Sequence, residues 1–110
     1  MDWIPLTQMD QLEAMSQSSS PVILYKHSTR CPVSRFIKKE FEIESVLIPT
    51  GTPIYLLDIL RHRDLSNEIA KRWNIPHESP QVLLIKGKRC LYDASHNAVR
   101  VADLVIRITN

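Results

Sequence analysis

The chain has few of the residues that mark several large protein classes. It holds only two glycines in 110 residues, too few for a phosphate-cradling loop of the Walker or dinucleotide type. It holds only two cysteines, Cys31 and Cys90, 59 positions apart. There is no Cys-x-x-Cys, no His-x-x-x-His and no paired Cys/His ligand set, so a protein-only zinc site is not expected. No apolar run exceeds four residues, as at Val22 to Tyr25, so no membrane span is expected. The opening Met1-Asp2-Trp3 lacks a basic n-region and an apolar h-region, so no secretory signal is expected. Fourteen basic against twelve acidic residues leave a net charge of +2, too little for the basic patch of a nucleic-acid binder.

What remains is a globular composition, 44% hydrophobic and 24% charged, with the length of a single domain over residues 1–110. With no export signal, a cytoplasmic home is expected. There thiols stay reduced, so a structural disulfide is not expected and one cysteine is free to act as a reagent. The short run Ser16 to Ser20 is a loop.

Hydrophobic periodicity then divides the chain into alternating elements. Thr7 with Asp10 suggests a helix start, with Met9, Leu12 and Met15 on one face. Pro21–Lys26 is a buried strand, and from Pro32 a helix carries Val33, Phe36, Ile37 and Phe41 as its apolar set. After the Pro49–Pro53 turn, Ile54–Ile59 is a second buried strand. Leu65, Ile69 and Trp73 mark another helix. Gln81–Lys86 and Arg89–Asp93 form a hairpin about Gly87-Lys88, and Val101, Leu104, Val105 and Ile108 close the chain as an amphipathic helix. Trp3 and Ile4 are candidates for an edge strand. Strand–helix–strand alternation gives parallel pairing, and the hairpin adds antiparallel strands. The expected fold is α/β and thioredoxin-like: a central mixed β-sheet flanked by helices on both faces.

Cys31 stands where the first central strand meets its helix, in His27-Ser28-Thr29-Arg30-Cys31-Pro32-Val33-Ser34. Pro32 suits the first helical turn, because the N–H it lacks has no acceptor there. Cys31 is then at or beside the N-cap, where free amides and the helix dipole favour thiolate over thiol. Arg30 and His27 are positioned to add positive charge. A thiolate is the nucleophile of disulfide exchange, so Cys31 is the catalytic candidate.

Ser34 occupies the place of a second motif cysteine. Its hydroxyl is able to bond a thiolate or to stabilise the first helical turn, and both roles stay open, but it cannot form a disulfide. Exchange then stops at a mixed disulfide on Cys31. Ser79-Pro80 precedes a strand; it is either a cis proline facing the cysteine or a trans proline opening the strand. Cys90 pairs near Ile85 across the hairpin, roughly 16 Å from Pro80 by strand rise, so a structural role is expected of it. Ser95, His96 and Asn97, and the loop Arg61-His62-Arg63, are expected to emerge at the cysteine end. There His96 is suited to a thiol's polar groups and the arginines to carboxylates, unless they form an ordinary solvated loop.

These runs, with His77-Glu78-Ser79-Pro80-Gln81, Ala94-Ser95-His96 and Arg63-Asp64-Leu65-Ser66-Asn67-Glu68-Ile69-Ala70, resemble the monothiol bacilliredoxin family over nearly the whole chain. The chain departs at Val33, where the family more often has Ile, and at Asn97 and Arg100, in place of an aromatic and a cap-like Thr. The resemblance implies that Cys31 attacks proteins capped with bacillithiol, a cysteinyl–glucosamine–malate thiol. The client leaves reduced, Cys31 keeps the cap, and another low-molecular-weight thiol or redoxin resets it. Ser34 assists, and Pro32, Ser79, Pro80, His96, Arg61 and Arg63 form the substrate side. Bacillithiol is a co-substrate, and no bound cofactor is implied. Two other functions compete: an iron–sulfur carrier of the monothiol glutaredoxin type, which Pro32 disfavours where cluster-bearing relatives have Gly, and a non-catalytic binding module.

Overall fold

The strand that leads to Cys31 is buried along its whole length, because helices cover both of its faces. This is β2 (Val22–His27), and even Lys26 and His27 within it are buried. In the computed structural model, which describes residues 1–109, β2 is the centre of a five-stranded sheet. The other strands are β1 (Ile4–Pro5), β3 (Ile54–Asp58), β4 (Gln81–Lys86) and β5 (Arg89–Ser95), in the order β1-β3-β2-β4-β5. The β1–β3 and β3–β2 pairs are parallel, and the β2–β4 and β4–β5 pairs are antiparallel. The predicted mixed sheet is therefore present, and the Trp3-Ile4 edge strand falls at Ile4–Pro5, paired with Tyr55 and Leu56.

The helices are α1 (Met9–Ser16), α2 (Pro32–Glu44), α3 (Arg63–Trp73) and α4 (Val101–Thr109). Alternation along β2 sends Leu24 to one face, with Leu12, Leu65 and Ile69, and Tyr25 to the other, with Phe41 and Leu104. Thus α1 and α3 cover one face while α2 and α4 cover the other. Full burial of the leucine, isoleucine and aromatic side chains that meet on each face contributes roughly 1.5–3 kcal/mol apiece. Among the described residues no helix is long and apolar enough to cross a membrane.

Local details differ from the sequence-based expectations. Helix α1 begins at Met9, not Thr7, because Gln11 Oε1 accepts the N–H groups of Thr7 and Gln8 at 2.8 and 3.0 Å. Met9, expected on its buried face, is exposed. On α2 only Ser34, Ile37 and Phe41 are buried; Val33 and Phe36, expected to share that face, are 53% and 65% exposed. At 100° per residue these two lie on the flank away from the sheet. The hairpin turn is closely packed: Gly87 has φ +61°, and a Cβ there would stand 3.2 Å from the Ser18 carbonyl.

Candidate active site

Cys31 is the N-cap of α2, with extended backbone angles, and its carbonyl accepts the first intrahelical bond from Arg35 N at 3.0 Å. Pro32 occupies the first helical position. The amides of Val33 and Ser34 in that first turn have no acceptor within the helix, and the positive end of the helix faces charge that develops at the sulfur. Cys31 is partly exposed, which leaves it open to an incoming disulfide.

Ser34 does not bond the sulfur. Its side chain is fully buried, and its Oγ lies 2.8 Å from His27 Nδ1 and accepts Ser28 N–H at 3.1 Å. Of the two roles left open for Ser34, the geometry gives the local structural one. It ties the end of β2 and the loop before Cys31 to the first turn of α2. Burial, then the nearby Lys38 charge, holds His27 below the ordinary histidine range.

The second wall comes from β4. Lys26 pairs with Gln81, which puts Pro80 level with His27 at the cysteine end of the sheet. The Ser79–Pro80 peptide is cis. Pro80 O accepts the backbone N–H of His96 at 2.9 Å, bringing β4 and the turn after β5 together. The His96 ring approaches Glu78 at 3.4 Å. Ser79 Oγ is buried without a hydrogen-bond partner.

The arginines are placed differently from the expectation of one loop beside Cys31. Arg61 does follow β3 at the right end, where Asp58 accepts its backbone N–H. Arg61 lines a cavity with Trp3, Pro5, Leu6 and Thr7 at the β1 edge. Arg63 is the first residue of α3, on the sheet face opposite α2, and its charge acts on His77. His96 likewise opens a helical turn, His96–Ala98.

One group was not anticipated. Lys26 is fully buried, and its Nζ donates to Ser66 O and His77 Nδ1, each at 3.2 Å. Ser66 Oγ approaches the same ring nitrogen at 3.0 Å. Burial lowers Lys26 to about 8. Burial, then the Lys26 charge, lowers His77. A lysine closing an otherwise apolar central strand was the available signal, since such a charge needs buried acceptors.

Cys90 pairs with Ile85, which pairs with Val22 at the start of β2. Five residues of strand, about 17 Å, then separate it from the level of His27. A disulfide needs Cα atoms within about 7 Å. Burial pushes the Cys90 thiol up to about 11, and its Sγ donates to Tyr92 O at 3.3 Å. The site therefore offers one accessible sulfur at a helix N-terminus with no second thiol in reach. That supports exchange through a mixed disulfide rather than through an internal one.

Residues 4–104 match the family described as monothiol bacilliredoxin BrxC. Among solved structures, one described as an oxidoreductase with a thioredoxin fold is 30% identical with a TM-score of 0.81, over 94% of this chain and 91% of its own. Thioredoxin from Malassezia sympodialis (Mala s 13) is 17% identical with a TM-score of 0.73, over 98% of this chain and 89% of its own. Thioredoxin f2 from Chlamydomonas reinhardtii is 14% identical with a TM-score of 0.71, over 98% and 94%. The last two speak for the fold alone. With a lone sulfur at the mouth of a thioredoxin fold and a family match along nearly its full length, the chain belongs to the monothiol bacilliredoxins, which are thiol–disulfide oxidoreductases acting on thiol-modified client proteins.

Proposed function

We propose that the protein removes bacillithiol from client proteins in the cytoplasm. The Cys31 thiolate attacks the sulfur of the bacillithiol moiety in a client–bacillithiol disulfide. A new bond forms between Cys31 and that sulfur, the old S–S bond breaks, and the client leaves as a thiolate that takes a proton from solvent. Cys31 then carries bacillithiol until a second low-molecular-weight thiol or another redoxin displaces it. Bacillithiol is a co-substrate in this cycle, and no bound cofactor takes part. Cys31 is the nucleophile, while Ser34 is a positioning residue through His27 and Ser28. Pro32, Ser79, Pro80 and His96 form the walls met by the incoming disulfide, and Arg61 and Arg63 add positive charge at the same end of the sheet.

The observation that carries this reading is the isolation of Cys31: the site where a second motif sulfur would stand is filled by a buried hydroxyl already engaged at 2.8 Å. The test is intact mass after exposure to oxidised bacillithiol. The wild type gains one adduct, mapped to Cys31, and Cys31→Ser gains none. No adduct on the wild type, or an adduct retained by Cys31→Ser, overturns the proposal.

A further inference from the structure

One flank of α2 carries three cations that the exchange step does not use. Arg35, Lys38 and Lys39, with His27 and Glu42, line a cavity of about 230 Å3. Arg35, Lys38 and Glu42 follow at three- and four-residue steps, so they lie on one side of the helix. Glu42 is already engaged twice, accepting Lys38 Nζ at 2.8 Å and Trp3 Nε1 at 2.6 Å. Arg35 donates to Thr29 O at 3.2 Å, which draws its guanidinium toward the loop leading into Cys31. Lys39 is exposed and forms no ion pair among the described residues. His27 uses Nδ1 toward Ser34, and its Nε2 has no hydrogen bond among the described residues. Glu42 compensates only Lys38, so among the described residues the cavity keeps the charge of Arg35 and Lys39 in excess.

The spacing along α2 suits a ligand tethered at Cys31. Arg35, Lys38 and Lys39 lie four, seven and eight residues beyond it, about 6 to 12 Å along the helix axis. In a cysteinyl–glucosamine–malate thiol a sugar separates sulfur from carboxylates, a span on the order of 10 Å at ordinary bond lengths. We infer that this cavity is the carboxylate subsite for the low-molecular-weight thiol that Cys31 receives. The inference rests on the function proposed above and sharpens it. The malate end lies along α2, against Lys38 and Lys39 with Arg35 beside them, and not against Arg61 and Arg63. Those two arginines are divided between the β1 edge and the opposite face of the sheet.

The test compares two caps on the same client peptide, bacillithiol and cysteinyl-glucosamine, which lacks malate. The double variant Lys38→Gln with Lys39→Gln lowers kcat/KM for the bacillithiol cap roughly five- to tenfold, mostly through KM, as expected for two partly screened charge contacts. It changes the cysteinyl-glucosamine cap less than twofold, and added salt narrows the gap. Equal loss on both caps, or loss on neither, overturns the subsite. So does a selective loss that follows Arg61→Gln with Arg63→Gln instead. Reduced bacillithiol added to the Cys31→Ser protein gives a readout independent of turnover: amide NMR shifts gather at Arg35, Lys38 and Lys39. If those shifts appear while the wild type discharges neither cap, the proposed function falls and the anion subsite stands. If they are missing, the subsite falls.

Discussion

Ser34 Oγ lies 2.8 Å from His27 Nδ1 and also accepts Ser28 N–H, so this buried hydroxyl fastens the last residue of β2 to the first turn of α2. Ser34→Ala leaves a part-buried amide and a buried ring nitrogen without a partner. Groups stranded in this way typically cost about 1–3 kcal/mol. The substitution lowers the unfolding free energy by that amount, read as a lower urea midpoint at unchanged m-value, and slows exchange at Cys31. An unchanged midpoint would show that water replaces the hydroxyl without loss.

The histidines set the acid side of the stability profile. His27 and His77 both titrate below the ordinary value of 6.5, chiefly through burial, with Lys38 and Lys26 as the next causes. The unfolded chain therefore takes up these protons first as pH falls. Their contribution is full above about 6.5 and is lost as pH falls through their lowered folded-state values. The urea midpoint falls between pH 7 and pH 5.5, and His27→Gln flattens part of that slope. A wild-type midpoint constant over this range would contradict the assignment.

The two cysteines separate by reactivity. Both are partly exposed, but Cys31 sits at a helix N-cap, whereas the Cys90 thiol is pushed up to about 11, chiefly by burial, and donates to a backbone carbonyl. Iodoacetamide at pH 8 under native conditions labels Cys31 first and Cys90 much more slowly, because so little of the Cys90 thiol is ionised there. Cys90→Ser keeps single-turnover exchange within about twofold, since it leaves the site's own bonds intact, while Cys31→Ser abolishes it. A Cys31–Cys90 disulfide in peptide maps of oxidised native protein would overturn the register-based separation.

The backbone plan was legible because its signals are local. Buried runs such as Val22–Tyr25, the Gly87-Lys88 turn and Pro32 after Cys31 each fix an element or its boundary without distant contacts. Side-chain direction was less legible. Val33 and Phe36 fit a helical apolar spacing with Ile37 and Phe41, yet the sheet meets α2 along Ser34, Ile37 and Phe41, leaving the first two in solvent. The arginines show the same limit: residues two apart across a helix start are sent to different surfaces by the packing of α3. The Lys26–Ser66–His77 cluster joins three segments 11 to 51 positions apart, and no single stretch of sequence announces such a contact.

That cluster yields the last prediction. Lys26 is fully buried and lowered from 10.5 to about 8, so keeping it charged near neutral pH costs at most about 3.5 kcal/mol at about 1.4 kcal/mol per pKa unit. Methionine has a similar length and no charge. His77 Nδ1 keeps Ser66 Oγ as a neighbour at 3.0 Å after the change. An apolar side chain of similar length removes the cost of burying that charge and leaves no unpaired charge behind. Lys26→Met therefore raises the urea midpoint at pH 7. The sign with pH follows from the lowered value: between about 8 and 10.5 the wild type folds with Lys26 neutral while its unfolded chain is still protonated, so wild-type stability rises through that window. The advantage of the methionine variant accordingly shrinks above pH 8 and is gone near 10.5. Function moves the other way. Lys26 anchors His77, three residues before the Pro80 wall, so its loss loosens the edge that receives the disulfide. The variant is more stable and slower, with KM for a capped client rising more than kcat falls. A variant that is both less stable and slower would mark Lys26 as an ordinary structural residue, and one that is more stable at full activity would remove it from the site altogether.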